Sequence, residues 1–291
     1  MKRIVLLLSV MVLLMLAACT GSTAPNADSD TVVPEEIPAP PPEEPKEELP
    51  EYVFEKTALC AEEQALRDSG EVIGYYSYEL PQMYIANEDN LTEEGRTTAL
   101  QNAETFNTRM REVLDEAVHN GEEMLRYQEI LVEEESVDFV VCDELSSNVY
   151  RVGQIVSVVS QCYYYGGGAH PFSYTVTYVY DLSVGQFIDP AQIGDDPEKF
   201  RTAAAQLLIE HAESLGEDYV EGYWADYQEI ISRWNETAVF FDDTGMTVIF
   251  SAYELGPYAM GPVELTLTYE ELADVIGEGG LTHLGVLHTA E

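Results

Sequence analysis

Residues 153 to 182 read GQIVSVVSQCYYY, then GGGAH, then PFSYTVTYVYDL. Both long runs are dense in β-branched and aromatic residues, which fit a pleated surface better than a helix. In the second run Tyr174, Val176, Tyr178 and Tyr180 recur every second position and mark one face of a strand. Only five residues separate the runs. Three are glycines, which reach positive φ and allow close backbone approach, and Pro171 fixes the entry of the next strand. A chain that ends one strand and begins another in so little length is organised around a sheet.

The rest of the folded part mixes both element types. Strand patterns cover 71–85, 137–145 and 153–165, with shorter ones at 238–241, 246–253 and the start of 263–276. A long amphipathic helix is expected over 98–125, where Phe106, Met110, Val113, Leu114 and Val118 recur at helical spacing. Asp196-Pro197 opens a second helix running to about Leu215, and 223–234 reads as a third. Asp242 to Gly245 is turn chemistry between two strands. Strands and helices do not alternate regularly. The expected class is therefore α+β: a mostly antiparallel sheet with packed helices and a smaller N-terminal α/β subdomain. The expected division is 52–165 for that subdomain and 166–280 for the C-terminal domain.

Two segments before residue 52 read differently. Lys2, Arg3 and the apolar run Ile4 to Leu16 form a secretory signal, and Leu16-Ala17-Ala18-Cys19 resembles a bacterial lipobox, which places lipidation on Cys19 and the signal at 1–19. Residues 20–51 hold eight of the 14 prolines among many acids. Such a segment cannot bury a core and is expected to be a disordered, solvated tether. The expected location is thus extracytoplasmic, held to the bacterial cell membrane by lipid alone.

The chain carries 54 acidic and 13 basic residues, a net charge of −41. Phosphate backbones require the opposite sign, which excludes nucleic acid as a partner. Long-range attraction would instead draw a cationic protein. Cys60, Cys142 and Cys162 allow at most one intramolecular disulfide, and Cys142 with Cys162, in neighbouring strand runs, is the expected pair. No cysteine or histidine spacing calls for a metal, and nothing calls for a cofactor.

The glycine stretch has two readings. In the structural one, His170 packs or hydrogen-bonds across a tight crossover. In the functional one, it is a ligand-contact loop. A phosphate loop would need a following helix, and a nucleophile beside His170 would need a motif that Ser157, Ser160 and Cys162 lack, so no catalytic residue is assigned. The candidate contacts are Gly167, Gly168 and His170, with Tyr253, Pro257 and Tyr258 from the later bend LGPYAMGP, because aromatics are favoured at interfaces.

Gly167-Gly168-Ala169-His170, the aromatic strand ending in Asp181-Leu182, and the later Tyr253-Glu254 with Pro257-Tyr258-Ala259 and Gly261 resemble the domain of unknown function shared by the anti-sigma factor RsiV and the peptidoglycan deacetylase PdaC. Ser251-Ala252 departs from the Asn-Pro often found there in that family. The resemblance covers roughly 98 to 276, and 52 to 97 more weakly. It implies a module that recognises lysozyme or peptidoglycan, with neither anti-sigma nor deacetylase activity, since the segments for those lie outside the matched region. The alternative reading is a wall-active hydrolase or deacetylase that works through paired carboxylates.

Overall fold

The computed structural model describes residues 48–134 and 138–286. Cys19, the signal segment and the tether up to residue 47 lie outside the described residues. Nine strands are described: β1 (Tyr52–Leu66), β2 (Val72–Ile85), β3 (Val141–Val152), β4 (Ile155–Tyr165), β5 (Phe172–Asp181), β6 (Gln186–Phe187), β7 (Ala238–Phe241), β8 (Gly245–Phe250) and β9 (Val263–Thr268). The helices are α1 (Glu93–Glu134), α2 (Pro197–Ser214), α3 (Glu217–Gly222), α4 (Tyr227–Ile231), α5 (Tyr269–Ile276) and α6 (Glu278–His283).

The run IVSVV that opens β4 is apolar at every position but Ser157, and the strand is buried on both faces there. One six-stranded sheet has the order β1-β2-β3-β4-β5-β6. Every neighbouring pair is antiparallel except β2 with β3. Those two strands are joined by α1, the long crossover that a parallel pair needs. On one face of the sheet α1 packs Phe106, Met110 and Val113 against Leu80, Val156, Val158 and Tyr180. Further along, Leu125 meets Tyr76, Tyr78 and Val141. Gly121 permits this approach, because a Cβ there would lie 2.6 Å from the Tyr76 ring and from the Tyr78 hydroxyl.

The other face carries a second sheet of three antiparallel strands, β7-β8-β9. Its core gathers Val248, Leu265 and Leu267 with Phe200 and Leu208 of α2, Leu272 of α5, and Ile155 and Val179 of the first sheet. Hydroxyl groups reconcile the two sheets. Val239 N–H of β7 donates to Thr177 Oγ1 at 2.8 Å, and Phe241 N–H donates to Ser157 Oγ at 3.0 Å. Both amides would otherwise be orphaned at the edge of the small sheet.

The fold class is the α+β arrangement the sequence implies. The expected boundary between residues 165 and 166 does not divide it. That point falls between β4 and β5, which pair along their lengths, and the described residues form one compact unit. The third expected helix, 223–234, is a second correction. It is broken, with α4 the only α-helical piece in that span. Trp224 N–H is drawn off to Leu255 O at 2.7 Å, and the chain turns before α4 begins at Tyr227. Asp242 does make the expected turn, its Oδ1 accepting from Thr244 N–H at 2.8 Å. Among the described residues, no helix is long and apolar enough to cross a membrane.

Candidate functional site

Beyond Tyr165 the chain turns through Gly167 and Gly168, whose φ values are +88° and +113°. Only glycine adopts this conformation without strain. Gly167 also lies against Phe139, whose ring a Cβ would strike at 2.5 Å. Tyr165 hydroxyl donates to Gly168 O at 3.2 Å and ties the corner. His170 follows, and its Nδ1 lies 3.0 Å from Pro171 O. A carbonyl can only accept, so Nδ1 donates there. Nε2 lies 3.4 Å from the Tyr253 hydroxyl.

The later motif meets this corner. Tyr258 stacks on His170 with centroids 3.8 Å apart and planes 15° apart, and its hydroxyl donates to Pro171 O at 3.1 Å. Tyr253 has φ +75°, the one non-glycine residue among the described residues with a positive value. Strained backbone of this kind concentrates where function requires it. Two contacts hold the bend: Glu254 accepts from Ser251 N–H, and Tyr253 O accepts from Trp224 Nε1 at 3.0 Å. Pro257 precedes a short 3-10 turn that projects Tyr258 and is itself exposed. So His170, Tyr253 and Tyr258 come together although 83 residues separate the first two. Gly167, Gly168 and Pro257 shape the turns that present them.

Beside this cluster lies a cleft of about 440 Å³ whose walls include Gln161, Ser173, Thr175, Ser251, Tyr258 and Met260. No lining residue is charged, in a chain with 54 acids. Sequence reasoning found Tyr258 but missed Trp224, Ser251 and Met260. Ser251 and Met260 lie in or beside the LGPYAMGP bend, which could have pointed to them, whereas no sequence signal ties Trp224 to it. Among the described residues, no group of three histidine, cysteine, aspartate or glutamate side chains could hold a metal ion.

The expected Cys142–Cys162 disulfide is corrected by the register. Cys142 stands opposite Tyr165, and Cys162 opposite Leu145, an offset of three positions. An odd offset puts the two side chains on opposite faces of the sheet. Both are free and buried, while Cys60 is free and exposed on β1. Burial raises the Cys142 thiol and pushes Cys162 up to about 11. Since the thiolate is the reactive form, iodoacetamide at pH 7.5 is expected to label Cys60 within minutes and to reach Cys142 and Cys162 only in denaturant. Peptide mass mapping reads the order, and early modification of Cys142 or Cys162 would contradict the packing.

These features define a class: an α+β domain with an uncharged cleft beside an aromatic cluster on an otherwise acidic molecule. Residues 198–270, from α2 to the start of α5, match the family model described as "Protein of unknown function (DUF3298)". That match includes the Tyr253–Tyr258 bend and stops short of the glycine corner. The crystal structure of a DUF3298 family member from Bacteroides fragilis is similar at a TM-score of 0.57 and 16% identity, over 82% of this chain and 98% of that one, and shows the same fold. A DUF3298 family protein from Pseudomonas aeruginosa gives a TM-score of 0.47 at 15% identity, over 79% and 96% of the two chains. No curated protein matches the chain.

Proposed function

We propose that this chain is a recognition module of the cell envelope, lipid-anchored through Cys19 and raised on its proline-rich tether, that binds a basic protein such as lysozyme. The observation that carries this reading is the meeting of two distant motifs at one exposed place. There the ring nitrogens of His170 face a backbone carbonyl and a phenol. That arrangement fixes the ring as a surface element, and among the described residues neither a serine or cysteine nucleophile nor an orienting carboxylate is hydrogen-bonded to it. The charge of −41 supports a basic partner by speeding encounter, and the resemblance to the RsiV and PdaC domain points the same way. A second reading, binding of peptidoglycan, is favoured by the cleft itself, whose hydroxyl, amide and aromatic lining suits a neutral glycan.

Isothermal titration of the full chain with lysozyme at 50 and 300 mM salt tests the first reading, and co-sedimentation with purified peptidoglycan tests the second. Lysozyme is expected to bind at low salt and to weaken by about tenfold or more at high salt, as steered complexes of opposite charge do. Binding to the wall but not to lysozyme transfers the function to the second reading. Binding to neither overturns both.

A further inference from the structure

β5 has an unusual outer edge. β6 pairs with it only at Tyr180 and Asp181, so among the described residues no strand pairs with positions 172 to 179 on that side. In a strand, both backbone polar groups of a residue point to the same side, and alternate residues point the same way. Thr175 N–H points outward, since it donates to Ser251 Oγ at 3.3 Å, and Val179 O points outward to accept from Ile188 N–H at 2.9 Å. Ser173 shares their parity. Its N–H and C=O therefore also point outward, and they have no hydrogen-bond partner among the described residues. Just before it, Pro171 O is covered by the Tyr258 hydroxyl. The edge is thus a ladder with open rungs at Ser173 and, by the same parity, at Thr177, while side-chain hydroxyls cover Pro171 O and Thr175 N–H on either side of Ser173.

Natural sheets protect free edges with charge, bulges and cover. The opposite edge of this sheet, β1, follows that rule: it carries Glu55, Lys56, Glu62 and Glu63 and a register break between Glu55 and Leu59. The β5 edge does not. Residues 171 to 178, PFSYTVTY, hold no charge, Phe172 and Tyr174 are exposed, and the uncharged cleft runs along Ser173, Tyr174 and Thr175. An open, neutral edge with a pocket beside it has the form of a strand-addition site, where main-chain bonds supply affinity and the pocket takes an alternate side chain.

We infer that an extended segment of a basic protein adds to the outer edge of β5 at Ser173, displaces Ser251 Oγ from Thr175 N–H, and places one side chain in the cleft against Tyr258 and Met260. This deepens the recognition reading and rests on it for the basic character of the partner. The net charge of −41 supplies the attraction, and the neutral edge supplies the register.

The test uses an array of synthetic ten-residue peptides, each with a neutral β-forming centre flanked by lysines, probed with the full chain and with S173P and S173A. Proline removes the outward N–H, which serves no bond within the sheet, and edge strands tolerate it. A subset of peptides is expected to bind, S173P to lose about tenfold or more, and S173A to retain binding. Hydrogen exchange on the wild-type chain with a captured peptide needs no variant, and the amides of Ser173 and Thr175 are expected to slow. Capture that S173P leaves unchanged, no capture at all, or protection elsewhere overturns the edge, while lysozyme binding would still uphold the recognition reading. Conversely, peptides that lose binding in S173P alongside an absence of lysozyme binding would sink the lysozyme reading and keep the edge. Displacement of captured peptide by an N-acetylglucosamine oligomer would give the cleft to glycan and overturn the peptide as its occupant.

Discussion

Phe106→Ala is expected to lower the unfolding free energy by about 3–5 kcal/mol, the usual cost of removing a buried aromatic ring. Phe106 is fully buried on α1, where its ring meets Phe54, Tyr180 and Phe187 at centroid distances of 5.6, 5.6 and 5.8 Å. Those partners belong to β1, β5 and β6, so one side chain fastens the helix to both ends of the six-stranded order. Collapse of the vacated space is restricted, because Asn102, one turn away, is bonded to the opposite wall: its side-chain amide donates to Leu182 O at 2.8 Å, and its backbone carbonyl accepts from the Tyr180 hydroxyl at 3.0 Å. Domains commonly have 5–15 kcal/mol in total, so this one change removes a large share. Urea denaturation followed by circular dichroism measures the loss. A deficit below about 1 kcal/mol would mean that the helix does not seat on the sheet as described, and Phe106→Leu should recover more than half of the loss.

Phe106 also shows what the sequence makes legible. Its spacing with Met110 and Val113 is a helical stripe, and those three side chains are among the α1 residues buried against the sheet. The β-branched run of 153–165 likewise read as a strand, and β4 is one. β1 carried no such signal. Its acids and weak alternation do not read as a strand, and it becomes one because β2 offers an edge to pair with, a case of tertiary context overriding propensity. Length misled in the other direction at α1, which runs from Glu93 to Glu134 while periodicity supported only 98–125.

The candidate site divides in the same way. The glycine corner and the proline-tyrosine bend were visible as local chemistry, and the fold brings them into contact. Ser251 and Trp224 act through hydrogen bonds to partners far along the chain, Thr175 for the first and Tyr253 and Leu255 for the second, and no periodic pattern records such bonds. The disulfide expectation failed for a related reason. Two cysteines in neighbouring strands meet only in the right register, and an odd offset reverses the face. Register is decided by what the whole sheet buries, which lies beyond the reach of a local reading.

Acid content shaped the polar interior too. With 13 basic residues against 54 acids, few carboxylates find a cation, and tyrosine hydroxyls serve instead. Tyr75 donates to Glu144 at 2.6 Å, Tyr76 to Glu63 at 3.0 Å, Tyr78 to Asp143 at 2.9 Å and Tyr227 to Glu213 at 2.8 Å. Burial and the Glu63 bond push the Tyr76 phenol up to about 12, which keeps it a donor across the physiological range. A phenol anchors a carboxylate without adding a charge. An acidic surface can in this way rest on a neutral, aromatic sheet, and the neutral edge of β5 is a continuation of that sheet.

Trp234→Ala is expected to cost about 3–5 kcal/mol in the second core, with a different signature. Trp234 is fully buried, its ring lies edge-on to Phe200 at 5.6 Å, and its Nε1 donates to Arg201 O at 2.9 Å. Alanine therefore opens a cavity and also removes the donor that Arg201 O uses, whereas Trp234→Phe removes the bond and keeps most of the volume. The phenylalanine variant should lose about 1–2 kcal/mol, and the difference between the two isolates packing. The decisive measurement is the pair with Phe106→Ala. The two rings occupy separate cores on opposite faces of β4, so their losses should add within about 0.5 kcal/mol. Because β4 belongs to both cores, and Ser157 and Thr177 bond across to β7, each single variant should shift one common transition. A melt in which Trp234→Ala splits off a first step, leaving the six-stranded sheet intact, would show that those hydroxyl bonds do not couple the sheets. The cleft between β5 and the Tyr258 segment would then open with the smaller sheet, and its ligand would stabilise that first step alone.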